Sequence, residues 1–527
     1  MRVRKKEVNP VGEYVQKDAE YKSYAWANNP VIAESMFREY DLRSATVRIQ
    51  KRGTKVEPGI NADGMRILGQ AYGTYVRRQL KQRRIVVGND YRSYSRGMAF
   101  AFITGALSSG VDVIDIGVVL TPVLYFAQHH LKLPAGAMVT ASHNDNGWCG
   151  LKLAKGLSST FEPADILSFK RLVYDGPLDA GSGRYERFDV REAYLKDVTA
   201  RCLPFVQRQL KVVVSTANGG AEAFLPDALR RLGFSVAEVN SDLDWDFPKF
   251  NPNTEDVRFL KELGLAIKRH KADLGVGADG DGDRLGVVDE RGEIIFSDRA
   301  GLFLARSLCE KVPGKPVVID VKSTGAVLLD PVLRAHRAPV VFCKTGHSYV
   351  KAKAKEVDAL IGFEKSGHVF LRQGFGLEYD DGCLAACLFA ATLSSNTLPL
   401  SALIAEQPRS HQSPTMEPAV ANDTVKYEIV EKVTREILEL QKRGGRFAGK
   451  KIVDVITLNG VRVVLEDGSW GLVRASSNKP VLVVVCESFS EKKLLYTIFE
   501  ALQKILEKHG VKKKDYDQLL PPLHGRR

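Results

Sequence analysis

The chain has 527 residues, 44% of them hydrophobic and 26% charged, and a formal net charge of +13. That length exceeds what one core organises and calls for about three or four domains, while the composition excludes a largely disordered chain. The apolar runs, such as 481–485, fall far short of the length of a helical membrane span.

The basic clusters are small and terminal: Arg2, Arg4, Lys5 and Lys6 at one end, and Lys512, Lys513, Lys514, Arg526 and Arg527 at the other. Nucleic-acid binding asks for cations gathered on one element with aromatic platforms, so the charge points instead to a solvated basic surface that attracts small anions. No apolar stretch follows the N-terminal cluster, so no secretory signal is expected. Seven cysteines, with no Cys-x-x-Cys pair, fit unpaired thiols in a reducing cytoplasm.

In chain order, residues 1–35 lack a hydrophobic period and read as an irregular arm. A β-α-β rhythm then begins, with a strand at 84–88, a helix at 98–107, a strand at 111–116 and a helix opened by Pro122 to about Leu131. A third strand, 136–140, runs into Ala141-Ser142-His143-Asn144. A second pass has a strand from Lys211, a helix at 225–232 and a strand at 272–279; a third has 316–321, a helix at 327–333, and strands 340–343 and 359–363. Beyond Pro408 a helix (425–441), strands near 453–465, 470–474 and 480–486, and a helix from about Glu491 to His509 predict a smaller α+β unit, with Ser488 and Glu491 as a capping box. The expected domains are 36–202, 203–297, 298–410 and 411–527, the first three similar α/β mixed-sheet units and the last a lid, around a central cleft. Polar loops at the carboxyl ends of strands are the candidate walls of a site.

Asp279-Gly-Asp-Gly-Asp-Arg284 is the strongest single signal. Three carboxylates at alternate positions, with glycines between, can turn to one point, and they repel one another unless a hard cation such as Mg²⁺ or Ca²⁺ joins them. An EF-hand is excluded because its sixth loop position must be Gly and is Arg284, and because the flanks read as strands. There is no G-x-S-x-G elbow and no Walker loop.

The order Thr140-Ala-Ser-His-Asn144, Asp279-Gly-Asp-Gly-Asp-Arg284, Glu364-Lys-Ser-Gly-His368 and Arg474-Ala-Ser476 resembles the α-D-phosphohexomutases, above all their bacterial phosphomannomutase/phosphoglucomutase branch. Phe37-Arg-Glu-Tyr-Asp-Leu-Arg43, Thr121-Pro-Val-Leu-Tyr-Phe-Ala127 and Lys344-Thr-Gly-His-Ser348 are similar to further signatures, so the likeness spans about 37–487. Three features depart from it: Asp145 follows Ser-His-Asn in place of Pro, Ser44 replaces a Gly, and the phosphate loop reads Ser476-Ser477-Asn478-Lys479-Pro480.

The resemblance implies a phosphoserine at Ser142, with Mg²⁺ held by Asp279, Asp281, Asp283 and an oxygen on Ser142. It implies a cycle through a hexose 1,6-bisphosphate that interconverts hexose 1- and 6-phosphates of glucose or mannose. Arg284 pairs with the phosphoryl oxygens or orients the aspartates, Lys152 with a lowered pKa serves as acid and base, and His143 supports it. Arg474, Ser476, Ser477 and Asn478 grip the remote phosphate. Glu364 and Ser366 hold the sugar hydroxyls, His347, Gly346 and His368 line the pocket, and Tyr40, Arg43 and Lys322 complete it. Alternative readings are a phosphoglucosamine mutase, a metal-dependent sugar phosphatase with an aspartate nucleophile, and a non-catalytic sugar-phosphate binder of the same fold.

Overall fold

The computed structural model describes residues 29–51, 54–477 and 479–521; most of the expected N-terminal arm therefore lies outside the described residues. Three sheets repeat one plan. In the first, Arg84–Asn89 is flanked in parallel by Asp112–Val118 and Gly136–Val139, and Trp148–Gly156 returns antiparallel to Gly136–Val139. In the second, Lys211–Ser215 lies between Ser235–Glu238 and Leu274–Ala278, and Leu285–Asp289 returns antiparallel. The third repeats this with Val317–Asp320, Val340–Cys343, Ile361–Phe363 and Val369–Leu371.

The plan places equivalent loops at one end of each sheet. In all three, the chain leaves the third strand, turns, and comes back as the antiparallel fourth. That turn contains Ser142 in the first sheet, Asp279 to Asp283 in the second and Glu364 to His368 in the third. Carboxyl ends of parallel strands face one crevice in such sheets, so one repeated turn supplies three walls.

A helix buried along its whole length, Gly382–Ser394, runs between the first three units. Its small and apolar residues (Gly-Cys-Leu-Ala-Ala-Cys-Leu-Phe-Ala-Ala) suit contact on every side. Asp381 caps it by accepting from the Leu384 amide at 2.8 Å and from the Tyr194 hydroxyl at 2.9 Å. The Gly382 amide donates to Gly282 O at 3.1 Å, which seats the helix start on the aspartate loop. A Cβ on Gly382 would meet the Arg284 backbone at 2.5 to 2.7 Å, so only glycine permits that approach.

The last unit is a six-stranded sheet, antiparallel throughout its core, in the order His411–Gln412, Leu482–Ser488, Trp470–Ala475, Val461–Leu465, Lys450–Ile456, Arg446–Phe447. Helices Asp423–Lys442 and Lys492–Lys508 cover it.

Two local expectations fail. The helix expected at 327–333 is two short turns, Ala326–Leu329 and Pro331–Ala335, because Pro331 forces Asp330 into extended backbone and Asp330 then caps the second turn. The expected capping box at Ser488 and Glu491 does not form: Ser488 ends a strand and its hydroxyl donates to Glu491 O at 2.8 Å. All seven cysteines are free and buried. Among the described residues no helix is long and apolar enough to cross a membrane.

Candidate active site

Ser142 is buried in a tight turn at a φ of 53°, a left-handed conformation that costs energy for a residue with a Cβ. The turn is held from behind. Arg92, wholly buried, donates to Ser142 O at 2.9 Å and Asn144 O at 2.8 Å and pairs with Asp90, which also accepts from Thr140 Oγ1 at 2.9 Å and the Ala141 amide at 3.2 Å. Neither Asp90 nor Arg92 was among the residues expected from sequence. On the cleft side, Ser142 Oγ lies 3.3 Å from His143 Nδ1. Burial, and then the charges of Arg284, Lys479 and Arg43, push the His143 pKa well below its ordinary value, so the imidazole is neutral.

The aspartate loop presses on the serine turn. A Cβ on Gly280 would stand 2.6 Å from Ser142 O, so the first and second units meet here backbone to backbone. Asp279, Asp281 and Asp283 are completely buried, and one oxygen of each lies within 4.8 Å of the others. Asp279 Oδ2, Asp281 Oδ1 and Asp283 Oδ1 have no hydrogen-bond partner among the described residues. A buried loop that draws three carboxylates to one place and leaves one oxygen of each without a hydrogen-bond partner offers the donor set that a hard divalent cation takes, so the residues fit Mg²⁺. Burial, with repulsion from Asp283 and Asp281, raises the Asp279 carboxyl well above the usual range.

Lys152 overturns one expectation. Its strand, Trp148–Gly156, carries Nζ to Asp281 at 2.8 Å and to Asp283. Burial pushes the amine down, but those two carboxylates overrule it and hold the ammonium well above its ordinary value, not below. Arg284 sits 3.6 Å from Asp279 and 3.7 Å from Glu255, and its Nε donates to His368 Nε2 at 3.1 Å. That bond leaves the proton of a neutral His368 on Nδ1, which lies 3.0 Å from Asp380. Lys351 salt-bridges Asp380 from the other side at 3.0 Å.

The cleft above this floor has about 620 Å³ of empty space, its open mouth included. It brings together Tyr40, Arg43, Ser142, His143, Lys152, Arg284, Lys322, Gly346, His347, Glu364, Ser366, His368, Arg474, Ser476 and Ser477. Asn478 lies outside the described residues. The Gly346 amide donates to Glu364 at 2.7 Å, the Tyr40 ring meets His347 edge-on at 4.8 Å, and Arg474 donates to Asn459 at 2.8 Å and Ser477 at 3.0 Å. Glu255 is a lining residue that no motif announced. It accepts from Lys322 at 3.0 Å and Thr415 at 2.7 Å, and although burial opposes it, Lys322 and Arg284 lower its pKa to about 2.

Comparison with known proteins agrees with this geometry. The four phosphoglucomutase/phosphomannomutase domain families match in order: alpha/beta/alpha domain I at residues 36–166, domain II at 192–292, domain III at 296–411 and the C-terminal domain at 425–503. A phosphomannomutase/phosphoglucomutase of Pseudomonas aeruginosa is 32% identical over 484 residues, covering 91% of this chain and 98% of that protein. A phosphoglucomutase/phosphomannomutase family protein of Burkholderia thailandensis superposes with a TM-score of 0.77 at 30% identity, covering 91% of this chain and 99% of the other. An Aspergillus fumigatus N-acetylphosphoglucosamine mutase, solved with GlcNAc-6P and magnesium, shares the fold at 14% identity and a TM-score of 0.57, over 93% and 98% of the two chains. With all four units matched in sequence order, the chain belongs to the phosphoglucomutase/phosphomannomutase family of phosphohexomutases.

Proposed function

We propose that the chain interconverts hexose 1-phosphates and 6-phosphates of glucose and mannose through a phosphoserine at Ser142 and a hexose 1,6-bisphosphate. The observation that carries this reading is the contact of Gly280 with the Ser142 carbonyl, which sets three carboxylates, each with one oxygen lacking a hydrogen-bond partner, beside the serine turn. In the first half-reaction a sugar hydroxyl attacks the phosphorus and gives up its proton, the serine Oγ–P bond breaks, and the serine oxygen regains a proton. In the second, Ser142 attacks the other phosphate of the bisphosphate and loses that proton, the sugar O–P bond breaks, and the released sugar oxygen takes up a proton in place of the one the sugar lost in the first half. His143, with Nδ1 3.3 Å from Oγ, is placed to accept the Ser142 proton as a neutral imidazole in the second half and to return it, as the imidazolium so formed, to the serine oxygen in the first half of the next cycle.

Asp279, Asp281 and Asp283, with an oxygen on Ser142, would hold Mg²⁺, which when bound supplies positive charge beside the transferred group. The solved relative that carries magnesium and a sugar phosphate supports this assignment. Lys152 offsets the charge of Asp281 and Asp283, and Arg284 orients Asp279. Arg474, Ser476 and Ser477, with Asn478 by position, grip the non-reacting phosphate. Glu364, Ser366, His347, His368, Gly346, Tyr40, Arg43 and Lys322 hold the sugar. We assign these parts to domains 36–202, 203–297, 298–410 and 411–527. The seven unpaired thiols support a reducing compartment, and we place the enzyme in the cytoplasm.

The test combines intact-mass measurement with a coupled assay. One phosphoryl group on Ser142, and turnover of glucose and mannose 1-phosphates that exceeds turnover of glucosamine 1-phosphate, is the expected result. Release of free phosphate by a protein whose Ser142 stays unmodified would overturn the reading.

A further inference from the structure

The matched C-terminal domain ends at residue 503, yet the described chain continues past its last helix to residue 521 and packs on the segment 415–420. Residues 415–420 run alongside 481–484, with Met416 and Val484 exchanging backbone hydrogen bonds at 3.1 and 2.9 Å. The tail covers the opposite side of that segment. Pro418 bridges to Tyr516, the Ala419 amide donates to Asp515 O at 2.9 Å, and Gln518 Nε2 donates to Thr415 O at 2.6 Å. Asp517 takes the Glu417 amide on its carboxylate at 2.7 Å and returns its own amide to Glu417 O at 3.3 Å.

The segment so held sends Glu417 to the cleft and Thr415 to the lining residue Glu255. Thr415 donates to Glu255, and Glu417 accepts from Lys479 at 3.0 Å. Glu417 and Lys479 both line the cleft, and Lys479 keeps 38% of its side chain exposed, open to a ligand. Lys479 is also the cation by which the phosphate loop departs from the family pattern. Without a counterion beside it, an ammonium on that loop would attract a phosphate dianion strongly. A mutase must loosen its hold on the bisphosphate to let it turn, so a cation at full strength there is a liability.

Resting on the mutase reading, we propose that the C-terminal tail is a positioning element for substrate affinity: Asp517 fixes Glu417, and Glu417 tempers the pull of Lys479 on the sugar phosphate.

The experiment measures glucose 6-phosphate affinity by calorimetry on full-length wild type, Asp517→Ala, Asp517→Asn, Glu417→Gln, Lys479→Ala and the Asp517→Ala/Lys479→Ala pair, with thermal midpoints alongside. Asp517→Ala and Glu417→Gln should each tighten binding about three- to tenfold, the worth of one partly exposed charge pair. Asp517→Asn keeps an acceptor oxygen and should stay near wild type. In the Lys479→Ala background, Asp517→Ala should change affinity by less than about twofold. A tightening that persists without Lys479, no tightening in a folded Asp517→Ala or Glu417→Gln protein, or a wild type that binds no hexose phosphate would overturn the proposal. Because the readout is binding, a wild type that shows the expected pattern but turns nothing over would remove the mutase reading and leave this one standing.

Discussion

Ser142 combines burial, a left-handed backbone and a carbonyl fixed by Arg92, so its side chain has little freedom except toward the cleft. Ser142→Ala should lower turnover of glucose 1-phosphate by about 10³-fold or more, as loss of a nucleophile does, with little change in thermal midpoint; the coupled assay and a melting curve check both. Asp381, outside the cleft, makes a different prediction. Burial pushes its carboxyl up to about 7. The folded state therefore holds a proton there that the unfolded state has lost, and stability falls as pH rises from about 4 to about 7. Asp381→Asn, whose amide oxygen can still cap Leu384, should flatten that slope and exceed wild type at pH 8 by at most about 4 kcal/mol, with little difference at pH 4; denaturant melts at the two pH values measure it. At this scale the sequence showed what carries chemical groups and hid what holds them. Serine and aspartates stand in short local motifs, whereas Arg92, Glu255, Asn459 and Asp380 act across gaps in the chain that no spacing rule spans. The charge of Lys152 was misread because burial alone suggests a depressed amine, and its two partners are more than a hundred residues away.

Among elements, the turn after the third strand is the unit of design. Its threefold use explains why the β-α-β rhythm revealed the layout: hydrophobic periodicity reports strands buried on both faces, and polar punctuation reports the turns between them. What periodicity could not report was the fate of short helices, where one residue decides; Pro331 ended a helix that the pattern continued. It also gave no hint that Gly382–Ser394 would seat its first turn on the aspartate loop. Gly382→Ala should force the two apart and weaken Mg²⁺ activation, raising the metal concentration for half-maximal rate by about tenfold or more, the scale of change seen when groups behind a metal site are altered. A metal titration at fixed substrate tests this, and an unchanged midpoint would show that the contact is mere packing.

Across the whole molecule, the fourth unit joins its neighbours in two unlike ways. Toward the third unit the joint is dry. Arg462, 2% exposed, stacks on Trp470 at 3.7 Å and donates to Val321 O at 2.8 Å and Ser323 O at 2.9 Å. Glu487, completely buried, accepts from the Gly325 amide at 2.7 Å and from Trp470 at 2.6 Å. Arg462→Ala would leave those acceptors unpaired in a buried joint and should cost about 3 kcal/mol, read as a lower denaturation midpoint. Toward the first unit the contact is wet: Arg38 pairs with Asp423 at 2.6 Å, where Asp423 is 42% exposed, and Tyr427 donates to Glu39 at 3.1 Å. Arg38→Ala should cost less than about 1 kcal/mol yet raise KM for hexose phosphates.

Those two contacts are unequal in strength, and the inequality gives any opening of the cleft a direction. Water-exposed pairs part and re-form readily, but a desolvated guanidinium sandwiched between an indole and two carbonyls does not, so an opening would part the fourth unit from Arg38 and Glu39 and keep Arg462 as its pivot. Such an opening would admit substrate and release product past the Tyr40 side, and ionic strength, which weakens the rim and spares the pivot, should speed release more than it harms the fold.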